Sequence, residues 1–330
     1  MVTSGARYLL LLALLFGGAA VGMMVGPAGL SPGEVIGAFG SGGDQIARRI
    51  VIDLRLPRVF GAVLVGASLA VSGAVFQALL RNPLAEPYLL GVSSGAALAA
   101  VGALALGLGR LGGFLLPVAA LIGGLLAIAI VFAVARVSDR LDTRVLILAG
   151  VVVSAFFGAC ITLILVFSPA ETLRSAFFWT LGSLSGISWR MVAVLAAWAI
   201  PASAAAWGLG RHLDALALGE ETAAAIGTEV ERIKRIAFFL ASLLAAVTVS
   251  VAGVIGFVGL VVPHAVRMVW GSAHRGLIPT CFLAGGAALL VVDTAARVIG
   301  GPVEIPIGVV TAFLGVPFFL VLLRTRGGST

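Results

Sequence analysis

Residues 81–96 read RNPLAEPYLLGVSSGA, a charge pair, two prolines and a run of small polar residues wedged between two long apolar segments. Pro83 and Pro87 argue against one helix running through the stretch, so the chain turns here and the flanking apolar segments are separate elements. Composition says what those elements are. Of 330 residues, 61% are hydrophobic and 11% charged, too little polar surface for a soluble domain. Apolar runs of about 20 residues recur, each long enough to cross a hydrocarbon core about 30 Å thick. The runs are continuous rather than alternating, which excludes a transmembrane β-barrel. The expected class is all-α, a polytopic integral membrane protein.

Breaks at glycine, proline and charge clusters divide the chain into ten expected spans, near 8–30, 57–80, 88–108, 112–136, 144–167, 189–209, 232–255, 258–270, 276–299 and 305–323. The eighth is short enough to be a re-entrant segment instead. The first follows Arg7 as a signal peptide would, but its length and the lack of a soluble domain after it favour a retained helix. An even number of spans puts both termini on one side. Cytoplasmic termini place thirteen of the 21 basic residues inside and eight outside, the sense that the positive-inside rule favours. The net charge of +7 is therefore read as loop charge, and no nucleic-acid partner is expected.

Four of the eight outer arginines fall within residues 42–58, GGDQIARRIVIDLRLPR. Such a segment either snorkels its guanidinium groups to lipid phosphate or docks an acidic partner. On the inner side, residues 208–235 form the longest polar segment. Gly219 and Gly227 divide it into two short helical patterns, LDALALG and EETAAAIG, the second opening on acids that suit a helix N-terminus. The expected product is a rigid cytoplasmic knob. Ala62, Gly66, Ala70 and Ala74 recur every fourth residue on the second span, a face that lets another helix approach closely. Cys160 and Cys281 sit inside apolar runs and read as packing residues rather than a disulfide or metal pair.

Groups able to do chemistry at membrane depth are few: Gln77, Asp293 and Glu304. Asp293 and Arg297 lie four apart on one helical face and neutralise each other, which weakens the case for a proton- or sodium-coupled carrier. His212, His264 and His274 fall at inner helix ends and read as surface or helix-end histidines. The sole lysine, Lys234, stands in ERIKRI, so there is no phosphate-binding Walker loop. Any ATP used to move a substrate must be hydrolysed by another chain.

The stretch SGAVFQALLRNPLAEPYLLGVSSGA (72–96) resembles the signature of the permease subunits of type II ABC importers, which take up vitamin B12, ferric siderophores and haem. LRLPR (54–58), LALGEETAAAIG (216–227), AGVIGFVGLVVPHAVR (252–267) and EIPIGVVTAFLGVPFFLVLL (304–323) extend the likeness through most of the chain, in the family's order. The resemblance implies one transmembrane permease domain over residues 1–330, with residues 208–235 as its coupling-helix segment. It implies a multi-pass protein of the bacterial cytoplasmic (inner) membrane, both termini cytoplasmic, working as a homodimer. Two ATP-binding cassette subunits would lie beneath it, carrying ATP and magnesium, and a periplasmic or lipid-anchored binding protein above. The permease itself would hold no cofactor and no metal.

Carried over by position, the resemblance assigns docking of the binding protein to Arg55, Arg58 and Arg297. It assigns the cytoplasmic gate to Asn82, Pro83 and Leu84 with Asp142, Thr143 and Arg144. Coupling to the ATPase falls to Leu218, Gly219, Glu220, Glu221, Ala224 and Gly227. FWTLGSLSGISW (178–189) resembles the family's outer helix before the sixth span, and Gly91, Ser93, Ser94 and Gly95 offer a small-residue face beside the pathway. Family prevalence ranks ferric siderophore first as cargo, then haem and cobalamin. An ATP-independent carrier or channel is the alternative, and a neighbouring Walker-type ATPase with a secreted binding protein would discriminate the two.

Overall fold

The computed structural model describes residues 4–26, 28–40, 44–110, 113–137, 140–299 and 304–327. Each of the ten expected spans coincides with a helix. The chain begins with α1 (Ser4–Met24), then two short helices, α2 (Pro32–Gly37) and α3 (Gln45–Arg48). A π-helical stretch (Arg49–Arg55) runs straight into α4 (Leu56–Leu79). After a 3₁₀ turn (Pro87–Leu90) come α5 (Val92–Ala105) and α6 (Leu115–Ala135). A two-residue hairpin pairing Arg136–Val137 with Arg140–Leu141 leads to α7 (Thr143–Val166), α8 (Ala170–Thr180) and α9 (Trp189–Gly208). The knob is α10 (Gly210–Leu218) and α11 (Glu220–Ala225). Four helices complete the chain: α12 (Val230–Ala252), α13 (Val258–Trp270), α14 (His274–Ile299) and α15 (Ile307–Gly327). Among the described residues seven helices are long and apolar enough to span a membrane, and α5, α13 and α15 are shorter apolar helices beside them.

The fold is built around α4. Every residue from Leu64 to Leu80 is buried, as a helix apolar on all sides requires. Its small-residue face packs on α14 at Gly66, where a Cβ on either Gly66 or Gly285 would overlap the other's carbonyl oxygen. Backbones in direct contact give dense packing without a hydrophobic driving force, which lipid does not supply. Phe76, Phe238 and Phe132 join α4, α12 and α6, with ring centroids 6.2 and 5.6 Å apart.

Three local features differ from the sequence expectation. The segment before the second span is a continuous helical entry rather than a separate interfacial piece. Pro57 lacks an N–H and its ring disfavours a regular α-turn behind it, and the Leu56 N–H bonds the Val51 carbonyl five residues back, widening the turn. Pro87 opens the 3₁₀ turn rather than α5, because Gly91 at φ +83° breaks the helix after it. The helix expected within 178–189 lies earlier, as α8. Residues 181–188 instead form a loop pinned by the Ser183 N–H on the Ala252 carbonyl and by the Ile307 and Gly308 N–H groups on the Gly182 and Leu181 carbonyls. The small face of α5 carries helix contacts: a Cβ at Gly95 would meet Ala127 and Gly123 on α6, and Ser94 Oγ lies 3.2 Å from Ser154 Oγ on α7.

Candidate coupling and gate site

The Arg81 end of the bundle collects three segments far apart in sequence. Helix α4 finishes in a Schellman motif: the Asn82 N–H reaches the Gln77 carbonyl and the Arg81 N–H the Ala78 carbonyl, with Arg81 at φ +48°. A left-handed arginine is uncommon and marks a position that the surroundings hold in place. Asn82 Oδ1 then accepts the Leu84 N–H at 2.9 Å, closing an Asx turn that carries Pro83 outward. The non-helical break is thus a hydrogen-bonded turn rather than a slack loop.

Across from it, Asp142 caps α7. Its Oδ1 accepts the Arg144 and Val145 N–H groups at 2.8 and 3.2 Å. The Val145 and Arg144 amides hold its carboxyl below the usual carboxylate range. The knob supplies the third segment. Gly219 separates α10 from α11 at φ +122° and ψ +152°, a conformation nearly restricted to glycine. Leu218 just before it and Ile226 just after α11 are 74% and 65% exposed.

Lys234 ties the segments together. Its ammonium, on a side chain 3% exposed, lies 3.1 Å from Glu220 and 2.9 Å from Glu231. Glu220 also faces Arg81 at 3.7 Å, and Glu231 accepts the Leu141 N–H at 2.7 Å. One buried cation therefore links the knob, α12, the strand before α7 and the end of α4. A cleft of about 810 Å³ lies over this network. Asp142, Thr143 and Arg144 line it together with Leu218, Gly219, Glu220, Glu221 and Ala224, while Arg81 forms the near wall. Asn82, Pro83 and Leu84 continue beyond the lining, and Gly227 lies past the far side of α11.

Beneath the cleft two further contacts hold the turn after α4. Glu86, on the loop that follows it, accepts the Phe257 N–H at 2.7 Å, and Phe257 caps α13 at φ +67°. Arg267 on α13 donates to Gln77. Sequence reasoning assigned no coupling role to Glu86, Glu231 or Lys234. For the last two a signal was present, since an acid and a base three apart share a helix face. For Glu86 there was none.

At the opposite end the three carried-over arginines lie close together and point inward. Arg58 donates to Asp293 at 3.0 and 3.2 Å and to Glu304 at 2.8 and 2.9 Å. Arg297 meets Asp293 at 3.2 Å, the i,i+4 pair expected from sequence, and donates to the Gly22 and Val25 carbonyls at 3.0 Å. Arg55 donates to the carbonyls of Met23 and Met24, at 2.6 and 3.2 Å. Arg55 and Arg297 are each only 5% exposed. Among the described side chains, Arg48, Arg49, Arg174 and Arg190 are exposed at this end. Two histidines also differ from the surface reading. His264 is buried inside α13 against Phe318, and His274, which does open α14, is buried with its ring nitrogen 2.6 Å from Asp214.

A bundle of ten apolar helices with a protruding helical knob is the architecture of a polytopic membrane protein. Comparison with known proteins makes the class specific. The FecCD transport family model matches residues 9–325, and the chain belongs to that family. The cobalamin import system permease protein BtuC of Halobacterium salinarum is 44% identical over 282 residues, 86% of this chain and 75% of that protein. The vitamin B12 import system permease protein BtuC of Klebsiella pneumoniae is 39% identical over 324 residues, 98% of this chain and 93% of the relative. A solved structure described as an inward-facing conformation of a metal-chelate type ABC transporter superposes with a TM-score of 0.85 at 32% identity, covering 96% of this chain and 97% of that one. This chain is thus a multi-span permease of the ABC importers that serve metal chelates and vitamin B12, a transport subunit rather than an enzyme.

Proposed function

We propose that this protein is the membrane subunit of an ATP-driven importer that passes a large metal chelate to the cytoplasm, with cobalamin the first compound to test. The observation that carries the reading is the cleft at the Arg81 end. There the knob, the capped start of α7 and the turn after α4 share one buried lysine, so a push on the knob is felt at both gate segments. Cobalamin moves ahead of the siderophore and haem ranking because two relatives that match most of this chain are named for it. No residue along the bundle argues for one chelate over another.

In this reading two copies pair and an ATP-binding cassette subunit sits under each knob, carrying the ATP and magnesium. Leu218 and Ile226, apolar and exposed at the tip, enter a cleft on that subunit. Closure of the ATPase pair displaces α10–α11, and the Glu220–Lys234–Glu231 network moves the turn at Asn82–Leu84 and the start of α7 together. Packed elements of this kind switch between discrete arrangements rather than bending continuously. At the other end Arg48, Arg49, Arg174 and Arg190 offer guanidinium forks to an acidic binding protein. A docking carboxylate would reach Arg58 by displacing Glu304, while Arg55 and Arg297 hold the helix ends beneath.

The test is reconstitution in vesicles with the cognate ATPase and binding protein, with cobalamin, haem and ferric siderophores competing for uptake. ATP-dependent accumulation blocked by unlabelled cobalamin is the expected result. Failure of every chelate to accumulate or to stimulate ATP turnover would refute the cargo class, and uptake by the permease without the ATPase would favour the carrier.

A further inference from the structure

We propose that the groove between α1, α9 and α14 at the Arg81 end binds one anionic phospholipid. The groove has a volume of about 450 Å³ and a wall of apolar side chains that includes Leu12, Ile200, Trp207 and Phe282, with no acid in its lining. Lipid chains would cover such a wall in any membrane. Three polar features make this one specific.

Ser203 lines the groove, is 6% exposed, and its Oγ has no hydrogen-bond partner. Hydroxyls on membrane helices ordinarily bond back to a carbonyl four residues earlier. Ser68 does so to Leu64 at 2.7 Å and Thr280 to Gly276 at 2.6 Å. Ser203 leaves a donor free in an apolar wall, a costly arrangement unless something accepts it.

The second feature is the mouth. Arg7 stacks over the Tyr8 ring at 4.7 Å and donates to its hydroxyl at 3.0 Å, and its Nε is buried without a partner. Its guanidinium packs against Gly276, next to Arg275. Third, Trp207 crosses between the helices, donating from Nε1 to the Arg275 carbonyl at 2.9 Å, while the Arg275 stem rests on Gly210. Asp214, the carboxylate on α10, is engaged by the His274 ring and main-chain N–H at 2.6 and 2.9 Å, which leaves the positive charge at the mouth in excess.

The spacing fits one molecule. Ser203 precedes Trp207 by four residues, about 6 Å along the axis, so its hydroxyl lies below the arginines at the level of a glycerol ester when a phosphate sits between Arg7 and Arg275. The phosphate takes the guanidinium donors, an ester carbonyl accepts from Ser203, and one acyl chain fills the groove. Two arginines with no acid in the lining favour a headgroup of net negative charge over a zwitterionic one.

The experiment uses the full-length protein, stripped of lipid in detergent and offered phosphatidylglycerol, phosphatidylcholine or a fatty acid of matched chain. Bound adducts are counted by native mass spectrometry. Phosphatidylglycerol should be retained over phosphatidylcholine by about five-fold per arginine. The preference should vanish in Arg7→Gln/Arg275→Gln and survive in Arg232→Gln, an exposed arginine away from the groove. Ser203→Leu, which fills the groove and leaves the arginines in place, should lower retention of both phospholipids and covers the case in which the double variant fails to fold. Equal retention of the two phospholipids by the native protein, an undiminished preference in the double variant, or retention of the fatty acid equal to that of phosphatidylglycerol would each overturn the proposal.

Discussion

Gly219 carries the sharpest constraint at the level of single residues. A Cβ there would meet only the Arg81 guanidinium and the Thr222 hydroxyl, at the unstrained distances of 3.9 and 4.0 Å, yet the φ of +122° is strained for any L side chain. Gly219→Ala should therefore reset the angle between α10 and α11 at a local cost of about 1–3 kcal/mol, abolishing ATP-driven uptake while the purified protein still folds and unfolds only a few degrees lower. Normal uptake by that variant would remove the knob from the mechanism. Asp142 makes a pH-dependent claim. Its carboxyl is held below its ordinary value by the amides it caps, so the cap's contribution is present above the unfolded carboxylate range and is lost as pH falls through the lowered folded value. Amide exchange at Arg144 and Val145, corrected for intrinsic rate, should stay protected through neutral pH and lose protection only below about pH 4. Asp142→Asn should shift that loss out of the titration altogether.

Between elements, the strongest statement concerns α4, α14 and the chain entering α15. Asp293 is fully buried between Arg58 and Arg297. Asp293→Asn leaves two guanidinium groups short of a counter-charge and should cost about 3–5 kcal/mol, read as thermal stability in detergent. Glu304→Gln should cost far less, because that carboxylate is part-exposed and Arg58 keeps Asp293. The sequence disclosed the Asp293–Arg297 pair through its spacing of four, and it disclosed the close face of α4 through its period of small residues. It did not disclose that Arg58 joins them from 235 residues away, since nothing in local pattern records which way a guanidinium turns. The π-helical entry to α4 was hidden for a related reason: Pro57 signals a disturbed turn, but only packing decides whether the chain bends, stops or widens.

For the whole molecule, ten spans and a helical knob were legible because hydropathy and glycine punctuation act locally. The cleft was not, since it depends on Arg81, Asp142 and Glu220 arriving at one end of the bundle although the six helices α5 to α10 lie between the first and the last of them in the chain. Its meaning rests on force passing from the knob to the gate, and Leu218 tests this with least disturbance to the fold because its side chain is largely exposed. The decisive measurement is ATP-driven chelate uptake by Leu218→Asp, reconstituted with the cognate ATPase and binding protein beside the native permease. Uptake falling by at least about tenfold, with unfolding temperature and binding-protein docking unchanged, is the result expected if the exposed leucine seats the ATPase, a loss of about 1.4 kcal/mol or more in coupling. Uptake equal to that of the native protein would contradict it.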